Sequence, residues 1–269
     1  MPCANKSKKA KPLPFDREAR SAPPRPTAPP VTAGATLTVI TAALIDLDGT
    51  LLDSIPDLAH AANAMRIDMG MTPLREAVIE TFVGKGVENL IRRTLAGQLD
   101  DVESDPDQFA AARESFFRNY HLVNGDKSTV YDGVIDGLKA MRALGLKLAV
   151  VTNKPTEFTL PLLQRTGLAG FFDTVVCGDT CARKKPDPLP MLYACEQLGV
   201  APAQAVAIGD SINDVQAGQA AGARVLVVPY GYNEGHDVRT LKVDGIVSSL
   251  IDAAQWIASQ TEAQVSSPN

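Results

Sequence analysis

From residue 37 to residue 262 the chain alternates short apolar runs with stretches of helical periodicity. That alternation confines it to an α/β fold, a parallel sheet flanked by helices. Candidate strands fall at 39–45, 146–151, 174–177, 205–208 and 224–228. The first ends directly in Asp46, the second in Thr152 and Asn153, and the fourth in Gly209 and Asp210. Open parallel sheets place their ligand crevice at the carboxyl ends of the strands, so these sequence-distant clusters can converge on one site.

Strand signals stop over 57–126, where helices are expected at 57–69, 75–82, 87–96 and 107–121. Apolar residues recur there at spacings of three and four, as in Val87, Leu90, Ile91 and Leu95. The expected organisation is a catalytic core of 37–56 and 127–262, interrupted after its first strand by a helical insertion of 57–126, with a disordered tail at 263–269. Residues 1–36 set Lys6, Lys8, Lys9, Lys11, Arg17, Arg20 and Arg25 against Asp16 and Glu18, with prolines throughout and almost no large apolar side chains. Such a segment cannot bury enough surface to offset its chain entropy and is expected to be disordered. The alternatives are an organelle-targeting peptide, a tail for an acidic partner and a misassigned translation start. The prolines disfavour the amphipathic helix that a transit peptide needs.

A net charge of -5 argues against general nucleic-acid binding and suits a protein that holds a cation near carboxylates. Cys3, Cys177, Cys181 and Cys195 do not make a disulfide framework in a chain of 269 residues. No segment approaches the roughly 20 consecutive apolar residues that cross a bilayer as a helix. Reduced thiols, a cytoplasmic address, no membrane partner and a monomer or homodimer are expected.

Asp46 and Asp48 close an extended run and leave the backbone on the same side, and Gly49 and Thr50 then permit a sharp turn. An aspartate can attack phosphorus, forming an aspartyl-phosphate and splitting hydrolysis into two easier steps. A second acid, Asp48, can protonate the leaving oxygen and later deprotonate the attacking water. Carboxylates facing a phosphate repel it, so the site needs cations. Asp210 follows an apolar strand and Asp214 lies one helical turn later, a hard oxygen-rich set that suits Mg²⁺. His60, His121 and His236 are widely separated, which makes zinc a poor alternative. The second cation is Lys185, whose backbone Pro186 restricts to an extended form that can aim the ammonium into the crevice. Thr152 and Asn153 can donate to phosphoryl oxygens, and Gly49 and Thr50 are grouped with them as substrate-binding residues. Singly, each motif also reads as a turn, a helix cap or solvated surface. Their joint order favours chemistry, because one reaction requires them all.

The stretches Asp46-Leu47-Asp48-Gly49-Thr50-Leu51-Leu52-Asp53-Ser54, Val150-Val151-Thr152-Asn153-Lys154, Lys185-Pro186-Asp187-Pro188 and Gly209-Asp210-Ser211-Ile212-Asn213-Asp214 resemble the four motifs of the haloacid dehalogenase superfamily. The resemblance spans about residues 38–260 and implies a Rossmann-like core with a helical cap inserted after the first motif. It also implies Asp46 as nucleophile, Asp48 as acid and base, and Thr152 and Lys185 as phosphate binders. Mg²⁺ would be held by Asp46, the Asp48 carbonyl and Asp210, with Asp214 supporting it directly or through water. Dehalogenases and phosphonate hydrolases of the superfamily do not keep an aspartate at the position of Asp48, which leaves phosphate-ester hydrolysis ahead.

Phe82-Val83-Gly84-Lys85-Gly86 followed by Val87-Glu88-Asn89-Leu90, together with Tyr131-Asp132-Gly133-Val134 and Lys184-Lys185-Pro186-Asp187-Pro188, looks most like the bacterial phosphoglycolate phosphatases. That likeness implies 2-phosphoglycolate as the small phosphate monoester hydrolysed. Gly84, Lys85 and Gly86 can let backbone amides and the Lys85 ammonium approach a substrate carboxylate, or can form an ordinary turn between helices. Arg92 and Arg93 read as solvated helix face, and Cys177 and Cys181 as packing thiols. Another sugar-phosphate or nucleotide phosphatase, a phosphate mutase that shares the core motifs, and a noncatalytic phospho-ligand module remain alternatives. The last fits poorly with Asp46, Asp48, Lys185 and Asp210 all being present.

Overall fold

The structure, a computed structural model, describes residues 39–100 and 104–265, with side chains as far as residue 260. The expectation of disorder for 1–36 therefore lies outside the described residues. Along the chain the strands are β1 (Ala42–Ile45), β2 (Leu52–Asp53), β3 (Thr129–Val130), β4 (Lys147–Val151), β5 (Thr174–Val176), β6 (Ala205–Gly209), β7 (Arg224–Val227) and β8 (Gly245–Ile246). The helices are α1 (Ile55–Asp68), α2 (Glu76–Glu80), α3 (Val87–Ala96), α4 (Pro106–Val123), α5 (Val134–Ala143), α6 (Thr156–Arg165), α7 (Leu189–Leu198), α8 (Ile212–Ala221) and α9 (Leu250–Val265).

Six strands form one parallel sheet in the order β5-β4-β1-β6-β7-β8. The sheet is buried on both faces because its strands place successive side chains on opposite sides. Ala43, Ile45, Val150 and Ile208 pack with Leu138 of α5 and Leu250 of α9 on one face. Ala42, Leu44, Val151 and Ala207 pack with Met191 of α7 and Val215 of α8 on the other. From β1 the chain moves outward to β4 and β5, then returns to place β6 on the opposite side of β1. That reversal opens a crevice where β1 and β6 end, the position at which such sheets bind ligands.

Helices α1 to α4 form the insertion, around a separate apolar cluster that includes Leu58, Met65, Ile79, Leu90 and Phe116. Phe158 of α6 and Tyr232 from the far end of the chain join this cluster, so the insertion packs directly on the core. Strands β2 and β3 pair antiparallel, Leu52 opposite Val130, so the chain leaves and re-enters the core side by side. Asp57, buried in the first turn of α1, clasps the returning segment. Its Oδ2 accepts from the Gly125 and Ser128 amides at 3.0 and 2.9 Å and its Oδ1 from the Lys127 amide at 3.0 Å.

The expected strands are present to within a few residues. Strands β2, β3 and β8 were not anticipated, since two residues carry no alternation to read. Helix α9 runs on to Val265, into the stretch expected to be a disordered tail, and 266–269 lie outside the described residues. No helix among the described residues is long and apolar enough to cross a membrane.

Candidate active site

Asp46, one residue beyond β1, donates its amide to the Ile208 carbonyl of β6 at 2.9 Å, which fixes it at the crevice. Its Oδ1 lies 2.9 Å from the Lys185 ammonium, and the same ammonium donates to Asp214 Oδ1 at 2.5 Å. Burial pushes the Asp46 carboxyl up to about 7, opposed by Lys185 and assisted by Asp214. The Lys185–Pro186 peptide is cis. Lys185 is itself buried, and the two carboxylates hold its ammonium in the charged form above the ordinary lysine range.

Asp210, just past β6, is also buried, and desolvation with the neighbouring Asp214 and Asp46 raises its carboxyl well above the usual range. It accepts from the Thr50 hydroxyl at 2.9 Å and from the Tyr232 amide at 2.5 Å. Thr50, expected at the substrate, serves this carboxylate instead. Gly49 stands beside it with φ 85°, where a Cβ would lie 2.3 Å from Asp210 Oδ2, so its role is close approach to the carboxylate rather than to substrate. Asp214 starts α8, accepting from the Ser211 amide at 3.1 Å and the Ser211 hydroxyl at 2.7 Å. The Gly-Asp-Ser run is thus a helix cap and part of the acidic cluster at once.

Asp46, Asp210 and Asp214 each present an oxygen within 4.8 Å of the others. These carboxylates, two of them buried and Asp46 half-buried, repel one another with Lys185 set against them, and all their donors are hard oxygens. Such a set fits a divalent Mg²⁺.

Asp48 faces away from this cluster. Its Oδ1 accepts from the Ser54 hydroxyl at 2.6 Å and from the Lys154 ammonium at 3.0 Å. Thr152 is buried beside it, its oxygen accepting from the Lys154 amide at 3.2 Å while its proton stays free to donate. Asn153 departs from expectation. Its amide nitrogen donates to the carbonyls of Gly84 at 3.0 Å and Lys185 at 2.9 Å, and its oxygen accepts from the Lys185 amide at 2.9 Å. With both ends engaged its side chain braces the loop carrying Lys185 against the insertion and has no donor left for a phosphoryl group, which leaves its backbone amide as the group it can offer.

A cavity of 50 Å³ lies between core and insertion, lined by Asp46, Asp48, Thr152 and Lys154 below and by Val83, Val87 and Leu90 above. Gly84 and Gly86 line it too. Lys85 does not face it: the ammonium pairs with Glu234 at 3.0 Å. Arg93, expected to be solvated, is buried and donates to Glu234 at 2.8 Å, whereas Arg92 is exposed as expected. The pull of Glu234, which belongs to the loop after β7, explains both side chains. Cys177 and Cys195 are buried and unpaired, and burial pushes their thiols up, so they pack as neutral groups.

Sequence reasoning missed Lys154 and the loop 230–234. Lys154 stood beside Thr152 with no role assigned. Gly231 lies so close to the site that a Cβ there would fall 2.2 Å from the Gly49 carbonyl. The Tyr232 hydroxyl donates to Asp53 at 2.7 Å and accepts from the Ser54 amide at 3.0 Å, tying this loop to the start of the insertion. Only the turn-forming glycine after a strand signalled it.

The haloacid dehalogenase-like hydrolase family matches residues 43–228. A phosphoglycolate phosphatase of Thiobacillus denitrificans is 49% identical over 218 residues, which cover 81% of this chain and 96% of that protein. A plasmid-borne phosphoglycolate phosphatase of Cupriavidus necator is 44% identical over 211 residues, 78% of this chain and 90% of its own length. The crystal structure of a predicted phosphoglycolate phosphatase from Haemophilus somnus superposes with a TM-score of 0.75 at 32% identity, covering 83% of this chain and 99% of that one. The crystal structure of CbbY from Rhodobacter sphaeroides in complex with phosphate superposes with a TM-score of 0.66 at 26% identity, over 80% and 96% of the two chains.

Proposed function

Since the chain belongs to the haloacid dehalogenase-like hydrolase family and is a phosphomonoester hydrolase, we propose that it converts 2-phosphoglycolate to glycolate and inorganic phosphate through an aspartyl-phosphate on Asp46. The observation that carries this reading is the meeting of two carboxylates, Asp46 and Asp48, in one small cavity, with the buried Lys185 ammonium 2.9 Å from the first.

An Asp46 oxygen bonds to phosphorus as the ester P–O bond breaks, and Asp48 gives a proton to the departing oxygen. Water then attacks the phosphoryl group, loses a proton to Asp48 and releases Asp46 as free carboxylate. Lys185 offsets charge on the phosphoryl oxygens, and the Thr152 hydroxyl donates to them. Asp46 and Asp210, with the Asp48 carbonyl and Asp214 in support, would hold Mg²⁺, which would supply neutralisation of phosphoryl charge. The choice of substrate is supported by the named activities of the relatives at 49% and 44% identity.

Phosphate release over a panel of about a hundred metabolite monoesters tests the reading. The expected result is the highest kcat/KM for 2-phosphoglycolate, with stoichiometric phosphate and no interconversion of sugar phosphates. A tenfold or greater preference for a sugar phosphate or a nucleotide would overturn the substrate.

A further inference from the structure

Lys154 is the single cationic side chain among the described residues that line the cavity. It is almost wholly buried, its ammonium grips both oxygens of Asp48 at 3.0 and 3.2 Å, and it lies 4.9 Å from the centre of the Tyr120 ring of α4. Tyr120 is 1% exposed, and its buried hydroxyl, whose oxygen faces the Lys154 ammonium, has no acceptor for its own proton although the residue borders the same cavity. A buried hydroxyl left unmatched costs free energy unless something completes it. Leu58, Val87, Leu90 and Phe158 of the same cavity are apolar and offer an anion no donor.

We propose that Lys154 and Tyr120 form the subsite for the substrate's carboxylate, which takes the place of Asp48 on the Lys154 ammonium and accepts from the Tyr120 hydroxyl. The proposal rests on the reading of a carboxylate-bearing phosphomonoester as substrate. One anion replacing another keeps the buried ammonium paired throughout, and Asp48 is thereby freed to turn toward the leaving oxygen. A monoester without a second anion has no such exchange to offer: to release Asp48 it must leave a buried ammonium bare. Specificity would then be written into the chemical step as well as into binding.

The test compares kcat/KM for 2-phosphoglycolate with that for ethyl phosphate, which keeps the two-carbon chain and lacks the carboxylate. Taking the ratio of the two removes any loss that both substrates share through Asp48. The wild-type protein is expected to prefer 2-phosphoglycolate strongly. Lys154→Met should shrink that ratio about 100-fold, and Tyr120→Phe, which removes only a hydroxyl, about 10-fold. Thermal melts establish that each variant is folded. If Lys154→Met does not fold, Tyr120→Phe alone decides. A wild-type ratio retained in the folded variants overturns the subsite while leaving the substrate standing. A wild-type protein with no preference between the two esters overturns both.

Discussion

Thr50 reaches the reaction only through Asp210, to which its hydroxyl donates at 2.9 Å. Thr50→Val keeps the shape and removes that donor. The Mg²⁺ concentration for half-maximal phosphate release should rise about 10- to 100-fold, and an unchanged requirement would detach Thr50 from the metal. Asp46→Asn should cost at least about 10⁴-fold in turnover with an unaltered circular dichroism spectrum, and full activity would sink the nucleophile assignment. The convergence of Asp46, Thr152 and Asp210 was legible because each follows a strand, and strand ends can be read from local pattern. Thr50, Asn153, Lys85 and Arg93 were not, because their partners Asp210, Gly84 and Glu234 lie far away in sequence. A local motif shows which groups a side chain carries, but not which distant groups have already claimed them.

Among the elements, α1 and the loop after β7 hold the insertion to the core. Asp57→Ala strips the acceptor from the amides of Gly125, Lys127 and Ser128, buried donors that lose a charged partner. A loss of about 2–4 kcal/mol follows, and Tm should fall by roughly 5–12 °C in a calorimetric scan. Glu234 allows a sharper contrast. Glu234→Ala leaves Arg93, 5% exposed, without its carboxylate and should lower Tm by about 6–15 °C. Lys85, 37% exposed in its pairing with the same Glu234, should move Tm by no more than about 2 °C when changed to Ala. Equal effects of the two would show that burial does not govern this pair of contacts. The helices of the insertion could be read from their three-to-four spacing, but not the ribbon of β2 and β3, which is defined only by the two segments meeting.

For the whole molecule, the family match begins at residue 43, and 81% of this chain spans 96% of the relative from Thiobacillus denitrificans. A chain starting at Leu37 should therefore keep kcat and KM for phosphate release within about twofold of the full chain. A large loss would give 1–36 a part in the enzyme. The antiparallel pairing of β2 with β3 carries a broader meaning. The insertion departs and returns through adjacent strands, about 4.8 Å apart, so its covalent connections to the core lie side by side and it forms a closed loop. Nothing in the strand order depends on what fills that loop. A different set of helices could be grafted there without rethreading the chain. The wall that the insertion gives the cavity, Val83, Val87, Leu90 and Tyr120, could thus be exchanged while the strand ends that carry Asp46, Thr152 and Asp210 stay in place.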